Sequence, residues 1–212
     1  MDNFLEFASA RRSIRKFEEK EIPIEDIEYF IQAAVTAPSG HNSQCWRFVA
    51  IKDKNIINQM VEAVTKKVEN IVKIKGDEIS QDYRSSKRKM VSFFAKAPFV
   101  IAVFSTKVGE FDPIFISALK AHGYDEESIM RQYANFDILS VGAAIQNLLL
   151  AVHEKGYGAC WMNDPAIAGE EINEILNIPL EQRFISLIPI GVPAYAPKGK
   201  KMKDMSEVFS II

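Results

Sequence analysis

The stretch AAIQNLLLAVHEKGYGACWM, residues 143–162, decides how the chain is read. From Val141 to Val152 nearly every residue is small or apolar. A helix built from them is apolar around most of its circumference and belongs in a core. The helical pattern extends back to Ser128, so the longest helix is predicted over Ser128–Lys155. Gly156 closes it, because glycine adopts the left-handed conformation that commonly ends helices. Gly158 to Met162 then reads as a strand.

Outward from this unit, Phe99 to Phe104 (FVIAVF) and Phe184 to Ile190 are short apolar runs that suit buried strands. Trp46 to Ile51 is a third strand candidate. Asn3 to Ala10 is a short helix, with Asn3 as cap and Glu6 three residues later. Ile24 to Thr36 carries Ile27, Phe30, Ile31 and Ala34 on one face. Lys54 to Val68 repeats the pattern with Ile57, Met60, Val61, Val64 and Val68. Ala168 to Leu176 is a helix stopped near Pro179. Arg11 to Phe17 has no helical stripe and reads as extended. Glu69 to Lys96 is polar and Lys-rich, a surface helix and loop. Gly109 to Asp125, with Gly109, Pro113 and Gly123, reads as an irregular excursion or lid. Strands alternate with long helices, without repeat or linker. The expectation is one domain over 1–212, α+β or α/β, around a central mixed sheet.

Composition narrows the function. The chain has 212 residues, 48% of them hydrophobic, enough for one core. A formal charge of -2 argues against a general nucleic-acid binder. Cys45 and Cys160 lie far apart and form no CxxC pair, which reads as two reduced thiols in a cytoplasmic protein. Met1 to Glu6 is acidic and lacks the apolar stretch of a signal peptide. No apolar run approaches the roughly 20 residues of a membrane span, so no membrane partner is expected. His41, His122 and His153 are isolated, and no metal site is expected. GxGxxG, GxxxxGK[ST] and GxSxG are all missing.

Four segments carry possible chemistry. In an extended chain Arg11, Ser13 and Arg15 share a face. Two guanidinium groups and a hydroxyl suit a phosphate; a solvated basic patch is the other reading. Asn42 and Gln44, between a helix and a strand, suit the mixed donors and acceptors of a heterocycle edge, or simply a capped turn. Trp161 and Met162, after Gly156, Gly158 and Ala159, suit an apolar wall beside something flat, or a core strand. Lys198 to Lys203 suits an anion or a solvated tail.

Taken in order, RRSIRKF (11–17), APSGHNSQCW (37–46), AAIQNLLLAVHEKGYGACWM and IPIGVP (188–193) ahead of a basic tail resemble the FMN-dependent nitroreductase family. The resemblance runs over nearly the whole chain and is faintest from Glu69 to Arg131. It implies an α+β fold, with a mixed, mainly antiparallel sheet flanked by helices, in an intertwined homodimer. It also implies an FMN cofactor, NADH or NADPH as hydride donor, and a small oxidised acceptor such as a nitroaromatic, quinone, enone or flavin, in a ping-pong cycle. Specialised relatives on the same fold, a flavin-destroying benzimidazole synthase or a reductive dehalogenase, are alternatives, as is a flavin-binding redox sensor without turnover. By position, Arg11, Arg12, Ser13 and Arg15 become FMN ligands. Pro38, Ser39, Gly40, Asn42 and Gln44 become the loop that reaches the flavin of the other subunit. Trp161, Met162 and Asn163 lie along the ring, and Lys200 falls at the basic C-terminal position. No side chain is nominated as catalytic, since the hydride chemistry sits on the flavin N5. The chain departs from the family pattern at Cys45, where proline is common. It departs again at Asn163 and Asp164, where two glycines are common, and at Met202, where arginine is expected. Asp164 would then set a negative charge near the ring.

Overall fold

The computed structural model describes residues 3–106, 112–133 and 136–212. Its centre is a strand buried at every position, β2 (Phe99–Ser105), the run expected from FVIAVF. Burial on both faces demands cover on both sides. The other strands are β1 (Trp46–Ile51), β3 (Gly158–Ala159) and β4 (Arg183–Gly191), in the antiparallel order β1-β2-β4-β3. A parallel element joins where Ser13 bridges Ala159.

Odd and even residues of β2 go to different cores. Phe99, Ile101 and Val103 pack with α2 (Ile24–Val35) and α7 (Phe136–Glu154), against Phe30, Ala34, Ile145 and Leu148. Val100, Ala102 and Phe104 pack with α3 (Lys54–Lys73) and α8 (Gly169–Ile175), against Ile57, Met60, Val64 and Ile172. Each large side chain so buried contributes about 1.5–3 kcal/mol before entropy is counted. The chain is completed by α1 (Phe4–Ala10), α4 (Gln81–Ser92), α5 (Pro113–Ala121) and α6 (Glu126–Tyr133).

Two expectations are revised, and a third runs through residues outside the described set. The helix expected over Ser128–Lys155 falls on α6 and α7, which are helical up to and from residues 134–135, themselves outside the described set. Asp137, in the first turn of α7, is buried and bonded to Ser105 and Arg183, which ties the start of α7 to the sheet. Next, α3 continues to Lys73, and the polar stretch after it contains α4, capped by the Ser80 hydroxyl accepting from Tyr83 N–H. Last, the excursion is partly regular. Asp112 caps α5, and Pro113 opens it; Gly109 lies outside the described residues. Among these residues α7 is long and apolar enough to cross a membrane, yet half of it is buried against α2 and the sheet, as in any core helix.

The turn from α7 into β3 is latched to α2. The Tyr157 hydroxyl donates to Asp26 Oδ2 at 2.7 Å, and Lys155 Nζ reaches Asp26 Oδ1 at 3.0 Å. Tyr157 also meets Phe30 edge-on, with ring centroids 5.8 Å apart. The Tyr157 bond, then Lys155, holds the Asp26 carboxyl below its ordinary value of 3.8. Burial, then the bond to Asp26, pushes the Tyr157 phenol up to about 12. A lowered carboxylate contributes stability above its unfolded value and loses it as pH falls through the folded one. Tyr157→Phe is therefore expected to lower stability at pH 7 by about 1 kcal/mol, since the pair is partly solvated. The gap to the wild type should close below pH 3.8. Urea midpoints at neutral and acid pH check this; a gap that is constant with pH would exclude the latch.

Candidate functional site

The extended segment 11–17 is stitched into the sheet at both ends. Ile14 N–H donates to Ala159 O at 2.9 Å, and Glu18 N–H to Val192 O at 2.9 Å. Ala194 N–H returns to Lys16 O at 3.1 Å, and Phe17 bridges Pro193. Ile14 is buried, so by strand alternation Ser13 and Arg15 turn the other way. Ile14 seats directly on Gly158: a Cβ there would lie 2.5 Å from Ile14 Cγ1 and 2.7 Å from its Cβ.

On the outer side Arg11, Arg12, Ser13 and Arg15 line one open cleft with Tyr195, Lys198 and Lys200. The structure thus brings the first motif and the basic C-terminal segment together. Arg12 acts differently from its neighbours. Its guanidinium donates to the carbonyls of Ser9, Arg11 (2.9 Å) and Lys198 (3.3 Å), and so straps the C-terminal segment over the end of α1. Met202 is exposed and is not among the cleft residues. His153 packs at a tilt against Phe7 with ring centroids 5.1 Å apart; burial, then Arg11 and Arg12, pushes its pKa below the ordinary value. Burial raises the Cys160 thiol, opposed by Arg15 and the Ser13 hydroxyl. A thiol held protonated is no ready nucleophile.

Trp161 and Met162 split across the strand. Met162 exchanges both backbone bonds with Leu187, at 2.9 and 3.0 Å, and its side chain enters the core. Trp161 is 37% exposed on the other face. Asn163 is exposed and precedes a short 3-10 turn, Asp164–Ala168. The Asp164 charge, which stands alone in the sequence, is matched by Lys87 Nζ at 2.6 Å.

The loop from Pro38 to Gln44 lines no part of the arginine cleft. Pro38, Gly40, Asn42 and Gln44 are exposed and Ser39 is half-buried. His41, Asn42 and Gln44 have φ of 52°, 53° and 44°. Non-glycine residues seldom occupy this left-handed region, and such strain collects at functional sites. The loop is held by the Ser39 hydroxyl accepting from Gln44 N–H (3.0 Å) and by the Ser140 hydroxyl accepting from Gly40 N–H (3.3 Å). Beneath it, Asp137 Oδ2 accepts from Ser105 Oγ at 2.7 Å and from Arg183 Nη2 at 3.0 Å. Sequence reasoning missed this cluster; a lone acid in an apolar helical stretch, FDILSVG, was its one signal.

The model of the Nitroreductase family matches residues 8–192. The chain belongs to the nitroreductase family. An iodotyrosine deiodinase of Thermotoga neapolitana is 30% identical over 196 residues, covering 91% of this chain and 90% of that protein. A BluB-like flavoprotein from Clostridium difficile 630 superimposes with a TM-score of 0.85 at 31% identity, covering 100% of both chains. An iodotyrosine deiodinase crystallised with FMN and 3-iodo-L-tyrosine shares the fold, with a TM-score of 0.68 at 24% identity over 94% of this chain and 95% of that one. The protein is accordingly a flavoprotein of the nitroreductase family, with the α+β fold its sequence implied. The donor set suits such a group: cations and a hydroxyl for a phosphate, and an exposed indole on the adjoining strand.

Because Ile14 rests on Gly158, Gly158→Ala is expected to destabilise the protein by about 1–3 kcal/mol through overpacking. The entropic gain of replacing glycine, about 0.4–1 kcal/mol, is smaller. A denaturation midpoint at or above that of the wild type would mean that segment 11–17 is not seated as described.

Proposed function

We propose that this nitroreductase-family protein is an FMN-dependent reductase specialised for one small aromatic substrate class, with reductive dehalogenation as its reaction. The observation that carries this reading is where the excursion springs from. It leaves the end of β2 and returns at the start of α7. Thr106 N–H donates to Cys45 O at 2.9 Å, and Gly40 bonds Ser140. Both feet therefore bracket the strained loop nominated for the flavin. Between them, α5 carries exposed Ile114 and Phe115. Helices inserted between these two anchors bring apolar side chains that suit an enclosed, selective pocket better than an open one. The likeness to a deiodinase at 30% identity supports the same direction.

In this reading Arg11, Ser13, Arg15 and Lys200 hold the FMN phosphate, with Arg12 fixing the strap that carries Lys200. Trp161 and Asn163 line the ring, while Met162, its side chain in the core, offers only its backbone. Pro38, Ser39, Gly40, Asn42 and Gln44 reach a flavin held by a second copy in a homodimer. Exposed apolar residues on α7 (Phe136, Leu139) and in the tail (Val208, Phe209, Ile211) are in keeping with such an interface. FMN when bound supplies two-electron chemistry. The substrate exchanges a carbon–halogen bond for a carbon–hydrogen bond, consuming two electrons and two protons and releasing hydrogen halide. The protein's residues bind, orient and exclude water; no side chain is assigned a proton transfer.

Denaturation and chromatography should release FMN. Anaerobic protein reduced with dithionite should free iodide from 3-iodo-L-tyrosine or a simple iodophenol faster than NADH or NADPH drives nitroaromatic reduction. Rapid NAD(P)H turnover of nitroaromatics without halide release would instead assign the sequence-based reading of a general nitroreductase. Arg15→Ala should weaken FMN about tenfold to a hundredfold, as expected for losing one charge-assisted bond; an unchanged dissociation constant would remove Arg15 from the site. A flavin-consuming benzimidazole synthase is the second reading, favoured by the 0.85 superposition on a BluB-like flavoprotein. Loss of flavin absorbance under air with excess reduced FMN distinguishes it.

A further inference from the structure

Asp164 and Lys87 are two departures that meet. Asp164 stands where the family commonly has glycine. Lys87 lies in α4, inside the stretch that resembles the family least. Their charged atoms are 2.6 Å apart, and the side chains are 44% and 25% exposed. Among the described residues its neighbours on α4 have other partners: Arg88 pairs with Glu69 at 2.9 Å, and Arg84 donates to the carbonyls of Gly76 and Ile79. Lys87 is thus a lysine on a surface helix that reaches a carboxylate next to the segment nominated for the ring.

The position of Asp164 follows from strand register. Ser13 pairs with Ala159, so the phosphate end of the cleft is fixed at Ala159. Met162 is pinned to Leu187, and Asp164 begins the next turn. Five residue steps lead from Ala159 to Asp164, at most about 17 Å of extended chain. A flavin whose phosphate sits at Arg11, Ser13 and Arg15, and whose ring runs along Trp161 to Asn163, ends beside Asp164. Reduction adds two electrons and leaves negative charge on that ring. An uncompensated carboxylate there opposes reduction, and a lysine beside the carboxylate cancels that opposition.

We propose that Lys87 and Asp164 form a charge-compensating pair at the ring end of the flavin site, and that the pair sets the reduction potential of the bound FMN. This rests on the FMN reading above. Lys87 acts through Asp164 and is a positioning residue; neither group transfers a proton or an electron.

The test is a cycle of FMN-loaded proteins: the wild type, Lys87→Met, Asp164→Asn, the double variant, and Lys87→Arg. Potentials are measured by equilibration with reference dyes. Lys87→Met should move the potential to more negative values, because Asp164 is left unmatched. Asp164→Asn should move it to more positive values. The double variant should return close to the wild type, and Lys87→Arg should stay there. Raising the salt to about 1 M, where the screening length falls to about 3 Å, should shrink the single-variant shifts. A merely structural contact would lower the melting temperature without this pattern of signs. FMN bound with equal potentials across the cycle overturns the pair's role and leaves the FMN reading intact. Failure of the wild type to bind FMN overturns both.

Discussion

The seating of Ile14 over Gly158 is the contact on which the rest of the site depends. It requires a residue without a Cβ where α7 has just turned into β3. Ile14 N–H then takes Ala159 O, and the chain continues to Phe17 and Glu18, which bind the strand leaving β4. One buried isoleucine therefore fixes the direction of two arginines and a serine. The C-terminal segment follows, because Ala194 is bonded to Lys16 and Lys198 to Arg12. Residues from both ends of the chain share a cleft by this route.

Much of this was legible in the sequence. FVIAVF was buried throughout, and the apolar faces of α2 and α3 were those that pack. Arg11, Ser13 and Arg15 alternated with a buried Ile14 as an extended chain requires. What escaped notice depends on long-range geometry. Met162 read as an apolar wall beside a ligand, but the register with Leu187 turns its side chain into the core and leaves Trp161 outside. Nothing local marks that choice, because a one-residue shift exchanges the two faces.

Charge was the least legible quantity. A carboxylate in an apolar helix, Asp137, and one after a strand, Asp164, look alike in a sequence. The first is buried and satisfied by Ser105 and Arg183, from two different strands. The second is partly exposed and answered by Lys87 from a helix more than seventy residues away. Reading Asp164 as a bare negative charge therefore required knowing that α4 does not pass over it. Composition counts charges; the fold decides which ones act.

The strained loop shows the same dependence on distant anchors. Three non-glycine residues with positive φ each cost on the order of 1 kcal/mol or more, and persist only where their surroundings hold them. The loop's own bonds, Ser39 to Gln44 and Asn42 to Gln44, close it upon itself. Its attachment to the fold runs through Gly40 to Ser140 on α7 and Cys45 to Thr106 after β2. Those are also the places where the excursion leaves and returns, and Asp137 joins them through Ser105. Displacing the end of β2 or the first turn of α7 must therefore displace the loop. The excursion and the loop share these two anchors, and Asp137 ties one to the other through Ser105.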